Sequence, residues 1–461
     1  MVPPMSDSDT SAFRPSSPAP LPATLPQHTT AAMEQFECLA ERCDDTCCRD
    51  WAVPISRDDL SAIKATMSST EEGRQRLTRL VVIGNHGRTQ NGPAQLRMND
   101  AGACPMLEED NRCGLHSEFG EQALTTPCSV FPRTALALSD RVEVGGSLGC
   151  PEVARLTLLP DATPSVRPAT KPMLPRAYVG KTISDVSGDP YTSHFLTVRG
   201  ALLRCFQHDL ALGTQFVLAA DFAERLQPFF HAGTSEFQGA RRSFSEQRLQ
   251  AEIGHTESAQ LHLALDRDLA GLKVSGAPVT AFVRSLLVDR KRLPHSAKYA
   301  TLVDQVFASL SGASSGLRAV PPDAPSAEDS WESYAQRREA LRERMGIRFD
   351  APFRNYCHHF LMRNPYTDAG TLSDYLYKLG MQLGAVRLLT VGHPDLAARL
   401  AAAPNPTLDR AVFDAVVVHV VQTFTKAISH HPEYLEAAVV RSATSSGGIS
   451  FGQHVLIAKF L

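Results

Sequence analysis

The sequence predicts a mainly α protein, in which a small cysteine-rich α+β module is followed by a large α-helical body. Eight of the ten cysteines lie between residues 38 and 150, and residues 158–175 carry five prolines without a helical period. From residue 190 onward, apolar residues recur at helical spacing. We therefore predict a cysteine-rich module at residues 34–157, a proline-rich linker at 158–184 and a helical domain at 185–461.

The N-terminal segment has the composition of an unfolded chain. Residues 1–30 contain seven prolines among many Ser, Ala and Thr residues. They lack both the basic start and the continuous apolar core of a secretory signal. This composition predicts a disordered extension over residues 1–33.

Charge and hydropathy restrict the location and the partners that we expect. The 49 acidic and 46 basic residues give a net charge of -3. The chain therefore lacks the excess of positive charge that is typical of nucleic-acid-binding proteins. The most apolar stretch, Val412 to Val421, is shorter than the ~18 residues of a membrane span and contains Asp414 and His419. We expect a cytoplasmic protein with no transmembrane segment and no nucleic-acid partner.

Short helices and strands are predicted inside the module. Ser56 and Asp59 have the spacing of a capping box, and the apolar residues that follow predict a helix over residues 57–67. A second helix is predicted over residues 71–80. The predicted strands are an edge strand at 51–55 and a hairpin at 133–138 and 141–144.

The C-terminal body is predicted to consist of amphipathic helices. Phe195, Val198 and Leu202 trace one apolar face at helical spacing, and the later segments repeat the pattern without a fixed-period repeat. The further predicted helices cover residues 215–230, 235–252, 258–271, 277–292, 298–310, 330–345, 349–363, 370–391, 394–402, 408–428 and 432–440.

The clustered cysteines indicate a metal site more than disulfides. Disulfides do not persist in a reducing compartment, and a chain of 461 residues does not need them to fold. Thiolates bind zinc as a closed tetrahedron or iron in an iron-sulfur cluster. The spacing permits two four-ligand sites or one site with spare thiols. The candidate metal ligands are Cys38, Cys43, Cys47, Cys48, Cys104, Cys113, Cys128 and Cys150.

An ordered set of residues over positions 36–156 resembles the flagellin lysine-N-methylase family, whose cysteine region belongs to a zinc- or iron-chelating group. The set comprises Phe36-x-Cys38-x4-Cys43-x2-Thr46-Cys47-Cys48-x2-Trp51, Cys104-Pro105-Met106-Leu107, Cys113, Gly120, Cys128-x2-Phe131-Pro132-Arg133 and Cys150-Pro151-Glu152-x-Ala154-Arg155-Leu156. The resemblance implies lysine methylation of flagellin, the partner, with S-adenosylmethionine and a 4Fe-4S cluster held by some of these cysteines. Zinc is the alternative metal.

The sequence contains no familiar motif for binding the methyl donor. No Gly-x-Gly-x-x-Gly follows a predicted strand and opens a helix. The Cys-x3-Cys-x2-Cys triplet of radical S-adenosylmethionine enzymes begins at Cys43 and Cys47, but Asp50 stands at its third position. One hypothesis is that a cluster with three protein ligands leaves an iron open to the amino and carboxylate groups of the donor.

Three charged residues beside the cysteines are candidate catalytic residues. Arg133 and Arg155 have guanidinium groups that can stabilise thiolates or bind a carboxylate with two hydrogen bonds, or can form surface ion pairs. Glu152 can accept the proton that a lysine amine must lose before it attacks a methyl group. The structural alternative is that Glu152 pairs with Arg155 one helical turn away.

Two other classes of function compete with a methyltransferase. One is a non-enzymatic iron- or zinc-binding protein, which would leave the methyl donor intact. The other is an interaction scaffold in which a structural zinc stabilises the fold of the module. Cys205 and Cys357 lie in helical patterns remote from the other cysteines, and we interpret both as buried apolar thiols.

Overall fold

The computed structural model describes residues 25–49, 53–68, 70–83, 94–100, 102–176, 178–183, 189–230, 244–292, 297–311, 327–446 and 448–461. These residues are mostly helical, which confirms the predicted fold class. The strands are β1 (Gln27–Thr29), β2 (Pro54–Ile55), β3 (Val81–Ile83), β4 (Ala94–Leu96), β5 (Arg133–Ala137), β6 (Val142–Gly146), β7 (Arg167–Pro168) and β8 (Lys181–Thr182).

The helices before residue 194 have at most 11 residues, whereas many of those that follow have 13 to 20. They are α1 (Ala31–Gln35), α2 (Arg57–Met67), α3 (Glu71–Leu80), α4 (Gly114–Phe119), α5 (Thr126–Val130), α6 (Pro151–Leu158), α7 (Pro190–Ser193), α8 (Phe195–Cys205), α9 (Leu212–Phe230), α10 (Glu246–Thr256), α11 (Ala259–Gly271), α12 (Ala277–Lys291), α13 (Ala297–Leu310), α14 (Ala327–Met345), α15 (Ala351–Arg363), α16 (Leu372–Val391), α17 (Pro394–Ala401), α18 (Pro406–Phe424), α19 (Pro432–Ser446) and α20 (Phe451–Phe460). A π-helix, Thr425–Ser429, continues α18.

Local sequence signals correctly predicted several elements of the module. The Ser56 hydroxyl accepts a hydrogen bond from the backbone N–H of Asp59 at 3.0 Å and caps α2, as its spacing predicted. The predicted hairpin is β5 and β6, in which Ala135 pairs with Val144. The edge strand is limited to β2, and its predicted start at Trp51 lies outside the described residues.

The strands form two sheets. The first has the order β7-β1-β6-β5-β8, in which β1 runs parallel to β6 and β8 runs parallel to β5. The second is a three-stranded antiparallel sheet with the order β2-β4-β3. The first sheet therefore combines segments that are far apart in the chain.

Two predicted segment boundaries differ from the structure. Residues 27–33 were assigned to the disordered extension, but they form β1 and the start of α1. The segment assigned as a proline-rich linker contributes β7 and β8 to the edges of the first sheet. The physical reason is that the β5–β6 hairpin offers unpaired backbone N–H and C=O groups on both sides, and even a proline-rich segment can pair at a sheet edge.

Two hydrophobic cores organise the molecule. The large core runs from Met33 and Val144 of the first sheet into the C-terminal helices. The small core lies beneath the second sheet and includes Ile55, Ile63 and Leu80. The first sheet therefore packs as part of the helical body, and only the segment around the small core forms a separate module.

A buried ion pair joins the first sheet to the helical body. The guanidinium of Arg199 on α8 donates two hydrogen bonds to the carboxylate of Glu143 on β6, at 2.7 and 2.8 Å. Both side chains are buried. A paired buried charge of this kind orients its two elements, because separating them would leave the buried Arg199 without its carboxylate, although Glu143 would still pair with Arg141 at 3.0 Å.

Helical periodicity predicted most of the body. The helices expected at 277–292 and 298–310 are α12 and α13, each within one residue of the predicted bounds. Residues 235–243 of the helix expected at 235–252 lie outside the described part, and the described helix α10 begins only at Glu246, after the N-cap Ser245, and extends to Thr256. Among the described helices, Pro406–Ser429 is long and apolar enough for a membrane span, but 67% of its apolar window is buried, as in a core helix.

Candidate functional site

Backbone pairing brings three cysteine-bearing segments together. The backbone N–H of Cys104 donates to the carbonyl of Cys48 at 2.8 Å. Leu107 forms an isolated β-bridge with Cys113, and the N–H of Gly114 donates to the carbonyl of Met106 at 2.7 Å. The residues around Cys48, Cys104 and Cys113 thus form one compact unit.

Four thiols meet at the small core and are called the four-thiol group: Cys48, Cys104, Cys113 and Cys128. The Cys113 thiol donates a hydrogen bond to the Cys48 thiol, and Cys128 interacts electrostatically with the other three. This group takes one thiol from each of four separate segments. It also separates the adjacent Cys47 and Cys48, since Cys48 packs on the small core and Cys47 is exposed.

The surroundings of the four-thiol group hold its members in the protonated form. The hydrogen bond from Cys113 lowers the pKa of Cys48, but the hydrogen bond to Cys47 and burial raise it, to about 12 overall. The same Cys48–Cys113 hydrogen bond, together with burial, raises the pKa of Cys113. Burial raises the pKa of Cys128 to about 12. A metal that binds these thiols as thiolates would therefore have to displace their protons.

Three of the remaining candidate ligands form a second group, Cys38, Cys43 and Cys150. The fourth, Cys47, is exposed and hydrogen-bonded with Cys48 beside the four-thiol group. Cys150 interacts electrostatically with both of the others and packs against the large core. Burial raises the pKa of Cys43 above its ordinary value and that of Cys150 to about 11. The eight cysteines therefore divide between two places in the fold, a division that their spacing left open.

The donor atoms of the four-thiol group suit zinc or an iron-sulfur cluster, both of which are held by thiolates in proteins. Within the residues that the structure describes, no group of three or more His, Cys, Asp or Glu side chains lies in an arrangement that could hold a metal ion. All ten cysteines are free thiols. The metal site therefore stays a prediction that rests on the chemistry and grouping of the thiols.

The segment from Cys43 to Cys48 is called the cysteine loop, and Asp45 anchors it to the helical body. Its carboxylate accepts hydrogen bonds from Lys426 at 2.9 Å, from Lys298 at 2.9 Å and from the side-chain amide of Gln422. Lys426 also donates to the carbonyl of Thr46 at 3.1 Å. Because Lys426 belongs to the π-helix at the end of α18, this contact places the segment before Cys47 against that helix.

Replacing Lys426 by methionine is expected to lower the free energy of unfolding by about 3 kcal/mol, because Asp45 would stay buried without its most shielded cation. Urea denaturation of the anaerobically purified chain measures this loss. The matched control is Lys298→Met, since Lys298 bonds the other carboxylate oxygen but its side chain is 48% exposed. That change should cost at most about 1 kcal/mol. Equal losses in the two variants would contradict this assignment.

The stabilisation by the Asp45 pair should depend on pH. Burial raises the pKa of Asp45, but Lys426 and Lys298 lower it more, so the folded pKa lies below the ordinary value. The pair therefore stabilises the fold above the usual aspartate pKa of ~3.9. Its contribution is lost as the pH falls through the lower folded pKa. The difference between wild type and Lys426→Met should shrink over that acidic range.

A cavity of about 810 Å³ opens in the helical body on the other side of the π-helix. This volume is in the range of small-molecule and cofactor sites. Its polar and charged wall residues come mainly from α9, α15, α16, α19 and the π-helix: Lys181, Glu224, Gln227, Tyr356, His359, Arg363, Asn364, Asp368, Thr371, Ser373, Asp374, Tyr375, Lys378, Gln382, Thr425, Ser429, Glu436 and Ser450.

The π-helix faces both the cysteine loop and the cavity. Lys426 bonds the loop, whereas Thr425 and Ser429 lie on the cavity wall. The Ser429 hydroxyl donates to the side-chain oxygen of Gln382 at 3.0 Å, and the Tyr356 hydroxyl donates to the same oxygen at 3.3 Å. Single π-helical turns are frequent at functional sites. This one connects the cysteine loop to the cavity wall.

The carboxylates on the cavity wall differ in their partners. Asp368 pairs with Lys181, and Glu436 lies 3.6 Å from Lys378. The Asp374 carboxylate accepts a hydrogen bond from the Thr371 hydroxyl at 2.8 Å, and the Asp374 backbone N–H donates to that hydroxyl at 3.0 Å at the start of α16. Glu224 accepts a hydrogen bond from the Ser373 hydroxyl at 3.1 Å and forms no ion pair among the described residues. Burial raises the pKa of Glu224. Glu224 thus has the environment of a proton acceptor.

The predicted catalytic residues lie outside the cavity wall. Glu152 and Arg155 form the ion pair of the structural alternative, with Arg155 donating at 2.6 and 2.8 Å. Arg133 lies over the Phe36 ring, 5.5 Å from its centroid, and interacts electrostatically with Cys38. Arg133 is therefore placed beside one thiol of the second group, whereas Glu152 is engaged by its neighbour.

Sequence reasoning missed the charged residues of the cavity. Glu224 lies on α9, Arg363 on α15 and Gln382 on α16. No local motif joins them, because only the packing of the helices brings them to one cavity. The signal that could have indicated them is a charged or amide residue within an otherwise apolar helical face.

The sequence comparisons place the helical body in a described family. Residues 207–442, just over half of the chain, match the family profile described as the FliB lysine N-methylase C-terminal domain. The cavity residues on α9, α15, α16 and the π-helix all lie within this range. No solved structure matches the chain.

Curated relatives carry related names. The chain is 30% identical over 135 residues to the flagellar biosynthetic protein FliU of Salmonella muenchen. This alignment covers 29% of this chain and 77% of that protein. It is 30% identical over 135 residues to the lysine-N-methylase of Salmonella typhimurium, where the alignment spans 32% of the relative. The lysine-N-methylase of Salmonella choleraesuis is 29% identical over 134 residues, again 32% of its length. The profile match and these similarities show that the chain belongs to the FliB lysine N-methylase family.

Proposed function

We propose that this protein is a lysine N-methyltransferase that transfers a methyl group from S-adenosylmethionine to lysines of flagellin. The observation that carries the proposal is the charged cavity inside the region that matches the family profile. Two relatives are named lysine-N-methylase, and a third is named a flagellar biosynthetic protein. The cavity has a volume of about 810 Å³, which suits a donor molecule together with the end of a lysine side chain.

The proposed reaction needs a lysine amine that has lost a proton, because the ammonium form has no lone pair. The amine nitrogen then attacks the methyl carbon of the sulfonium, the carbon–sulfur bond breaks, and S-adenosylhomocysteine leaves with the electron pair on sulfur. We assign the proton acceptor to Glu224, the carboxylate on the cavity wall that forms no ion pair among the described residues. Its raised pKa brings it closer to the pH at which a general base works best.

We also propose that the four-thiol group holds a 4Fe-4S cluster, with zinc as the alternative. Four thiols that pack on one small core match the four cysteine ligands of such a cluster. When bound, the cluster would supply electron transfer and folding free energy. The chain's own contribution is to hold the adjacent loop at Asp45 and Lys426 against the π-helix of the cavity wall. We place the protein in the cytoplasm, where thiols stay reduced.

In the direct test, anaerobically purified protein is incubated with flagellin and S-adenosylmethionine. The lysine-containing peptides of flagellin are then analysed by mass spectrometry. We expect added methyl groups on lysines and a matching amount of S-adenosylhomocysteine. Flagellin incubated with the donor and without the protein is the control. An iron- or zinc-loaded preparation that leaves flagellin and donor unchanged would favour the non-enzymatic metal-binding protein. A colourless preparation that contains zinc and no acid-labile sulfide would favour the scaffold.

A further inference from the structure

Arg363, at the end of α15, is a cation on the cavity wall with no carboxylate partner among the described residues. It lines both the large cavity and a neighbouring cavity of about 210 Å³. Its Nε is buried and has no hydrogen-bond partner within the described part of the chain. The buried arginines Arg199 and Arg290 have acceptors, Glu143 and the carbonyl of Ala427. Arg387 also has buried nitrogens without a hydrogen bond, but it forms an ion pair with Asp350, whereas Arg363 forms no ion pair among the described residues.

The groups around Arg363 do not neutralise it. Burial lowers the pKa of His359 to about 4 and that of His430 to about 3, so both rings are neutral near pH 7. His359 donates through Nε2 to the carbonyl of Gly146 at 2.7 Å. Burial lowers the pKa of Arg363, but a guanidinium remains charged in proteins. Arg363 is partly buried and its Nε is fully so. A cation that is largely removed from water and has no anion is unfavourable, and an anionic ligand would relieve that cost.

The other charges of the cavity favour a ligand with a single carboxylate. The two lysines on the wall are already paired, Lys181 with Asp368 and Lys378 with Glu436. One guanidinium therefore remains for an anion, while the wall carboxylates disfavour a ligand with several negative charges, such as a polyphosphate. A guanidinium and a carboxylate fit each other with two parallel hydrogen bonds.

We propose that Arg363 binds the carboxylate at the amino-acid end of the methyl donor. This inference rests on the proposed function and assigns the donor site to the cavity. Gln382, Ser429 and Tyr356 add hydrogen-bonding groups on the same wall. The Arg363 proposal differs from the hypothesis of an iron left open for the donor. Here a protein side chain, and not an iron of the cluster, would bind the donor carboxylate.

The test compares two ligands that differ at the amino-acid end of the donor. S-adenosylhomocysteine carries the amino-acid group, whereas 5′-methylthioadenosine has the same adenosine and sulfur without it. Calorimetric titration of the anaerobically purified full chain measures the Kd of each. Arg363→Met should weaken S-adenosylhomocysteine binding about 10- to 100-fold, the size expected for lost hydrogen bonds to a charged group. It should change the Kd of 5′-methylthioadenosine by less than about 2-fold, since that ligand has no carboxylate for Arg363.

Two further variants keep the test decisive. Arg363→Lys preserves the charge but not the two parallel hydrogen bonds, so its affinity for S-adenosylhomocysteine should be intermediate, and it carries the test if Arg363→Met does not fold. Lys378→Met is the matched control, because this wall cation is already paired with Glu436 and should change the Kd by less than about 3-fold.

Several results would overturn the proposal. They are no binding of S-adenosylhomocysteine by the wild type, unchanged binding by both Arg363 variants, or an equal loss for the two ligands. Failure of the proposed function appears differently, as flagellin lysines that stay unmethylated although S-adenosylhomocysteine binds through Arg363. Conversely, methylated flagellin together with binding that is insensitive to Arg363 would remove this inference alone.

Discussion

Replacing Cys113 by alanine is expected to remove most of the iron from anaerobically prepared protein and to lower its stability. Cys113 donates a hydrogen bond to Cys48 and lies with Cys104 and Cys128 at the small core. A cluster that loses one of its four ligands is poorly held, and part of the folding free energy is lost with it. Iron and acid-labile sulfide per chain, measured for each single alanine variant, give the result directly.

The controls for this prediction come from the same chain. Cys205 and Cys357 are fully buried in the large core, so their alanine variants lose packing but should keep their iron. Cys38→Ala is the sharper comparison, because Cys38 belongs to the second group with Cys43 and Cys150. It should retain iron if the four-thiol group alone holds the cluster. Iron kept in Cys113→Ala, or lost equally in Cys38→Ala, would disprove the assignment of ligands.

If the protein binds zinc instead of iron, the metal that is measured changes, but the same cysteine variants should lose it. Zinc prefers a closed tetrahedron of thiolates in structural sites, and the four-thiol group supplies that number of sulfurs. The same variants would then lose zinc, and the protein would be colourless. Metal analysis of the wild type therefore separates the two cofactors before any variant is made.

The sequence predicted that the cysteines matter but not how they divide. Their spacing allowed one site or two. The division depends on which thiols reach the small core, and Cys128 reaches it only because α5 lies beside β2, more than seventy residues away in the chain. Long-range packing of this kind has no local signature. The adjacent pair Cys47 and Cys48 shows the limit most clearly, since one turn of the backbone exposes one thiol and packs the other.

Helices were predicted better than strands for a physical reason. A helix such as α12 satisfies its backbone hydrogen bonds within fifteen residues, so its apolar period is visible in one short window. β1 and β7 are three and two residues long, and β1 pairs with β6 more than a hundred residues later. A strand of this length has too few residues for an alternating pattern, so proline content dominated the prediction.

The cavity was not predictable from spacing because its charged residues come from different helices. Glu224 and Arg363 lie more than a hundred residues apart. Each belongs to a helix whose pattern predicts only an apolar face toward the core. What distinguishes them is that neither forms an ion pair among the described residues, and only the packed structure shows that property.

Replacing Glu224 by glutamine is expected to lower the rate of lysine methylation about 100- to 10,000-fold, the typical contribution of a general base. The amide keeps the size of the side chain and can still bond the Ser373 hydroxyl, but it cannot accept the proton of the lysine ammonium. Binding of S-adenosylhomocysteine should be retained, because the change removes proton transfer and not the donor site. Rates measured with saturating donor and flagellin, beside the Kd for S-adenosylhomocysteine, separate the two effects.

The pH dependence gives this prediction a second readout. Burial raises the pKa of Glu224, so the wild-type rate should rise with pH through that raised value as the carboxylate loses its proton and becomes a base. The Glu224→Gln variant lacks this step, and its rate should rise only toward the lysine pKa of ~10.4, where the amine loses its proton to water. The two rates should therefore converge at high pH.

The matched control is Glu436→Gln, on the same cavity wall. Glu436 is largely exposed and lies near Lys378, so its neutralisation should change the methylation rate by less than about 3-fold. If Glu224→Gln keeps the wild-type rate within the same range, or if both variants keep the wild-type pH profile, then Glu224 is not the proton acceptor. The proton would then have to leave through another group; the remaining carboxylates on this wall are Asp374, which is hydrogen-bonded to Thr371, and Asp368, which is paired with Lys181.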